Sequence, residues 1–273
     1  MKHRFVLTLT LAAITAGSLS AQIGQRGTVL RAADVPTAVT SLRRTLERRG
    51  FKISLVLDHA AIGRSVGLKL RPTVVLLARP PRFLERILIA WSPTIALDLP
   101  LKFLVYKAAD GKIRLTFDAP GYLADRHGLR RGWRRGILGY LTRGLGKPIT
   151  GMVTVSSKRS FKDTVAKLRA AIASNSAFRI PLVLDFATRR RGGPVLIVFG
   201  NPRGGTPLMQ ASQLIGLDLP LKFLIRRGRH GRVQISYNDP AFLAQRNNVQ
   251  GQDARLRAIA AALASFAKAG AGR

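Results

Sequence analysis

Eight residues, Leu97-Asp98-Leu99-Pro100-Leu101-Lys102-Phe103-Leu104, recur letter for letter as Leu217-Asp218-Leu219-Pro220-Leu221-Lys222-Phe223-Leu224, 120 positions further on. Chance does not produce an identical octapeptide in register, so the chain is an internal duplication. A solenoid unit runs to about 20–50 residues; a period this long repeats a whole small domain. With 273 residues, there is room for two domains, each able to bury its own core.

Flanking patterns extend the match. In the first copy Asp34 precedes an apolar stripe at Val39, Leu42 and Leu46, and Gly50 follows it. That is the pattern of a capped amphipathic helix with a glycine stop. The second copy places Ser160 and Asp163 before Val165, Leu168 and Ile172, a capping-box-like start to the same stripe. Phe51, Ile53, Leu55 and Leu57 alternate with other residues, as do Phe178, Ile180, Leu182 and Leu184, which marks a half-buried strand in each copy. Pro181 sits on the outward phase of its strand, which predicts a sheet edge or bulge. Further strands are expected at 73–78, 101–105 and 113–117, with Asp110-Gly111 as a hairpin turn, and at equivalent places in copy two. Pro120 and Asp239-Pro240 open helical regions, the latter continuing as 253–268. Each copy reads β-α-β-β-β-β-α: an α+β domain with a mostly antiparallel sheet and helices on one face. The expected boundaries are 27–147 and 150–270. The segment Phe83–Trp91 reads as an apolar insertion at the interface between the copies.

Residues 1–21 have the pattern of a secretory signal. Lys2 and Arg4 precede an apolar run from Phe5 to Ala16, and small residues suit cleavage near Ser20 or Ala21. The expectation is an exported protein, periplasmic or secreted. The absence of cysteine excludes disulfides, thiolate metal sites and a cysteine nucleophile.

The formal net charge of +33 will attract anions. Either a small anionic ligand or an anionic envelope surface fits. The basic, amphipathic stretch Leu129–Lys147 suits a polymer or lipid surface, or is simply the closing helix of copy one. Export and the lack of any base-reading motif argue against nucleic acid.

Several short motifs together resemble a known family. They are Asp58-His59-Ala60, Arg71-Pro72-Thr73 and Arg126-His127-Gly128 in copy one. In copy two they are Gly200-Asn201-Pro202, Gly205-Thr206-Pro207-Leu208-Met209 and Tyr237-Asn238-Asp239-Pro240. With the repeated octapeptide, they resemble the domain-of-unknown-function family numbered 302, across nearly all of both copies. The resemblance implies a β-α-β(4)-α fold similar to one half of the TATA-binding-protein saddle, and a tendency of single-copy members to dimerise. It implies no activity. Each copy keeps about half of the polar signature: copy two has Phe186 for His59, Asn247 for His127 and Gly193-Pro194 for Arg71-Pro72.

These complementary losses favour one composite ligand cleft between two copies paired as a pseudo-dimer. Asp58, His59, Arg71 and His127 would come from copy one, and Asn201, Thr206 and Met209 from copy two. The Gly200–Thr206 loop offers backbone N–H groups to an anion, with Arg203 beside it, or is a plain strand-to-helix turn. It lacks the Gly-Lys-Ser/Thr ending of a phosphate loop. A metal-dependent or acid–base enzyme using His59 and His127 is the alternative; a basic envelope-associated structural protein is another. Asp98 and Asp218 read as turn residues bonding the backbone.

Overall fold

The computed structural model describes residues 23–129, 151–186 and 193–273. The proposed signal (1–21) and residues 130–147 of the basic stretch lie outside them.

Copy one runs β1 (Gln25–Leu30), α1 (Val35–Arg48), β2 (Lys52–Asp58), α2 (His59–Arg64), β3 (Thr73–Arg79), α3 (Arg82–Trp91), a 3-10 turn (Pro93–Leu97), β4 (Leu101–Lys107), β5 (Ile113–Asp118) and α4 (Pro120–Arg126). Copy two runs β6 (Met152–Ser156), α5 (Phe161–Ala173), β7 (Arg179–Asp185), β8 (Val195–Gly200), α6 (Pro202–Ala211), a 3-10 turn (Gln213–Leu217), β9 (Leu221–Arg227), β10 (Val233–Asn238), α7 (Pro240–Arg246) and α8 (Asp253–Ala271). The sheet orders are β1-β5-β4-β3-β2 and β6-β10-β9-β8-β7, antiparallel throughout.

The local signals act as their chemistry predicts. The Asp34 carboxylate accepts the Thr37 N–H at 2.8 Å and the Ser160 hydroxyl accepts that of Asp163 at 3.1 Å, so each capped helix starts where the stripe begins. Gly50 and Gly111 hold positive φ angles, +79° and +77°, at the end of α1 and in the β4–β5 hairpin. β7 is a sheet edge, and its register shifts between Arg179 and Leu182, around Pro181.

The longer helices cover the outer sheet faces. On sheet one, Val35 and Ala38 of α1 pack against Val74, Leu76 and Val105. On sheet two, Leu168 and Ile172 of α5, with Leu263, Phe266 and Ala267 of α8, pack on Ile197, Phe199, Phe223 and Ile235.

The inner faces turn toward the other copy, and they do so reciprocally. Val75, Leu77 and Leu104 of sheet one enclose Leu217 from the turn of copy two. Leu196, Val198 and Leu224 of sheet two enclose Ile95, Leu97 and Leu99 of copy one. The octapeptide therefore binds each copy to its neighbour as well as building its own strand. Burial on both faces explains why β3 and β8 read as unbroken apolar runs rather than alternating ones.

Three expectations need correction. Phe83–Trp91 is not an insertion: it is α3, and its counterpart 120 residues on is α6. Its Leu88 and Ile89 do pack on the inner face of sheet two. Helices are not confined to one sheet face, because the short ones sit between the copies. The last helical region is two helices, broken at 247–252, where Asn248 and Gly251 take positive φ. Among the described residues, no helix is long and apolar enough to cross a membrane.

Candidate functional site

Two polar features lie between the copies: a buried ionic cluster and an open cavity.

The cluster grows out of the octapeptide. Lys102 points inward from β4 and is 2% exposed. Its ammonium meets Asp98 at 3.3 Å, Asp118 at 3.0 Å and, across the copies, Asp218 at 2.7 Å. Arg126 from α4 reaches Asp98 at 3.1 Å and Arg246 from α7 reaches Asp218 at 3.2 Å. Each arginine also crosses to the other copy: Arg246 to Asp118, Arg126 to the Asn238 side-chain oxygen. His127 Nε2 lies 2.8 Å from Asp98, and Asn247 donates to Asp218 over the same distance. Asp98, Asp218, Arg126 and Arg246 thus repeat the same contacts about an approximate twofold relation. Asp98 and Asp218 are not backbone-bonding turn residues; their side chains anchor this network.

The electrostatics follow from the counting of charges. Burial alone would raise the Asp98 carboxyl, but Arg126, Lys102 and His127 outweigh it and hold it well below the usual carboxylate range. Asp218 is depressed likewise by Arg246 and Lys102 against its own burial. Burial lowers Lys102 too, yet Asp118, Asp218 and Asp98 reverse the sign and raise it. Lys222, the repeat partner of Lys102, differs. The position equivalent to Asp118 is Asn238, and Lys222 has no ion pair among the described residues. Burial, with Lys102 nearby, lowers it to about 7.

The cavity is elsewhere, with a volume of about 890 Å³, within the usual range for small-molecule sites. Copy one supplies Leu57 from the end of β2 and His59 and Ile62 from α2, with Ser65 and Val66 just after it. Copy two supplies the start of α6, the Leu219-Pro220-Leu221 stretch, the β7 edge and one face of α8. The Asn201 side chain caps α6 by accepting the Arg203 N–H at 3.0 Å. Gly63 lets α2 and α6 approach: a Cβ there would stand 3.0 Å from Thr206 Cγ2. His59 Nε2 lies 3.2 Å from the Gly216 carbonyl of copy two, and burial lowers its pKa to about 4, so the ring is neutral at neutral pH.

Of the anticipated site residues, His59, Asn201, Thr206 and Met209 line this one cavity. The other three do not. The Asp58 side chain caps α2 through the Ala61 N–H. Arg71 donates to Gln213 across the copies at 2.9 Å. His127 belongs to the ionic cluster. His59 and His127 therefore occupy different features, and among the described residues no group of three His, Asp or Glu side chains is placed to hold a metal ion. Sequence reasoning missed the ionic cluster and two cavity residues, Arg179 and Arg255. The available signal was the exact repetition of Asp and Lys inside an otherwise apolar octapeptide, and of Arg126 as Arg246 at the same offset.

The chain is similar to several known proteins. Curated relatives include "Fluoride-specific ion channel FluC 1" of Brucella suis biovar 1 (strain 1330), 35% identical over 129 residues, covering 45% of this chain and 51% of that one. The protein of the same name from Brucella abortus biovar 1 (strain 9-941) is also 35% identical over 129 residues, covering 45% of this chain and 48% of its own. The chain spans about half the length of the curated relatives it matches. Among solved structures, an uncharacterised conserved DUF302 protein from Bacillus stearothermophilus is 16% identical, with a TM-score of 0.39, covering 44% of this chain and 98% of its own. The family described as "Domain of unknown function DUF302" matches twice, over residues 28–135 and 153–266. Two complete sheets, a shared octapeptide and two family matches lead to one statement: the chain is a tandem member of the DUF302 family.

Proposed function

We propose that this protein is an exported, non-enzymatic binding protein that takes a small ligand in the groove between its two copies. The observation that carries this is the cavity itself, whose walls come from α2 of one copy and from α6, β7 and α8 of the other. Neither copy alone would form it. His59, the one histidine among the described lining residues, is engaged with backbone of the second copy, so it braces the groove rather than acting as a free base. Channel activity is not carried over from the curated relatives, of whose length the chain spans about half.

The test is titration of the full chain with N-phenyl-1-naphthylamine, a neutral apolar dye that brightens on leaving water. One saturable site is expected. Ala258, an exposed residue of α8 facing the groove, is changed to Trp to fill it, and the variant loses that site while keeping its melting temperature. A signal that does not saturate, or that survives in a folded Ala258→Trp variant, removes the groove as a binding site.

A further inference from the structure

Resting on that reading, we infer that the groove takes an anionic amphiphile: a molecule with an extended apolar body and a carboxylate or phosphate head. The lining divides chemically. Leu57, Ile62, Val66, Phe178, Ile259 and Phe266 are apolar, and the Phe178 and Phe266 rings meet edge to face with centroids 5.2 Å apart. Among the described residues, three cations, Arg179, Arg203 and Arg255, stand with them, and no aspartate or glutamate lines the cavity. Arg179 and Arg203 are exposed; the Arg255 guanidinium donates to the Arg203 carbonyl at 3.2 Å, which holds it beside the start of α6.

Two further observations point to a bound group. α6, ten residues long, begins in the groove with Asn201, Pro202, Arg203, Gly204 and Gly205. Pro202 has no N–H and those of Arg203, Gly204 and Gly205 are taken by Asn201, so it is the positive end of the helix macrodipole that favours an anion there. Thr206, only 1% exposed, is also among the lining residues; its hydroxyl oxygen has no hydrogen-bond partner and lies beside Gly63 of α2. A purely ionic ligand would leave the aromatic floor uncovered, and a purely apolar one would leave the three arginine charges without a counter-charge. An amphiphile satisfies both parts.

The experiment is displacement of the naphthylamine dye from the full chain by four competitors: a sixteen-carbon fatty acid, the lysophosphatidic acid of equal chain length, the matching long-chain alcohol, and inorganic phosphate. The expected result is that acid and lysophosphatidic acid displace the dye at least tenfold more strongly than the alcohol, and that phosphate alone does not displace it. The tighter of the two anionic compounds identifies the head group. Arg203→Glu/Arg255→Glu removes that tenfold preference and leaves alcohol binding within about twofold, whereas Arg44→Glu on the exposed surface of α1 leaves it intact; the preference at a remote charge change separates the site from the general positive field of the chain. Equal displacement by alcohol and acid overturns the inference while the groove stands as a binding site. Loss of the dye site itself overturns the groove reading instead. The wild-type comparison needs no variant, so a misfolded arginine variant does not shield the inference.

Discussion

At the scale of single residues, the duplication is visible as a near-symmetric charge network with one substitution that unbalances it. Asp118 pairs with Lys102 and Arg246, whereas its equivalent, Asn238, gives Lys222 no carboxylate. A buried ammonium without an ion pair destabilises the fold whenever it is protonated. Lys222 titrates near 7 in the folded chain, against 10.5 for an ordinary lysine. Between those values the unfolded chain binds a proton that the folded one does not, so this residue makes stability rise with pH from about 7 to 10.5. Replacing Lys222 by Met is expected to stabilise the protein at pH 7 by about 1–4 kcal/mol, with a smaller gain at pH 10. Urea unfolding of both proteins at the two pH values checks this; an equal or opposite difference at pH 10 would count against an unpaired, titrating amine.

At the scale of elements, the outer helices owe their close packing to small residues. α5 and α8 lie against each other on sheet two, and Gly270 is at their crossing: a Cβ there would stand 2.8 Å from Leu168 Cβ and 3.2 Å from its Cα. Because one of those atoms is backbone, no side-chain rotation relieves the contact, and the helices must separate. Gly270→Ala is expected to cost about 1–3 kcal/mol, the usual range for overpacking, although alanine is the better helix former. The urea midpoint should fall with an unchanged slope. A midpoint at or above the wild-type value would show that propensity outweighs packing here.

At the scale of the molecule, the two sheets are joined by exchange: each copy lays its 3-10 turn and the Leu-Asp-Leu segment on the inner face of the other. Separated copies would expose Val75, Leu77 and Leu104 on one side and Leu196, Val198 and Leu224 on the other, together with unpaired Asp and Arg side chains. Residues 23–140 and 145–273 produced as two chains in one cell are therefore expected to purify as a one-to-one complex, measured by light scattering behind size exclusion. Independent soluble monomers would mean that the reciprocal packing is not what holds the copies.

Much of this protein was legible in the sequence because its signals are local. The octapeptide marked the duplication, the Asp34 and Ser160 caps marked the helix starts, Asp110-Gly111 marked a hairpin, and Pro181 marked an edge strand, since each acts through its own backbone or its near neighbours. Of the seven site residues named from the sequence, His59, Asn201, Thr206 and Met209 line one cavity. Asp58, Arg71 and His127 carried the same family motifs yet serve a helix cap, a brace to Gln213 and the ionic cluster. Nothing in their spacing distinguishes those fates, because each depends on which residues of the other copy arrive opposite. The same holds for Lys102 and Lys222: identical in local sequence, they differ because three carboxylates close around the first and none pairs with the second. Local backbone chemistry settled where the elements begin and end; the packing of one copy on the other decided which polar groups are buried, which are paired and which are left to meet a ligand.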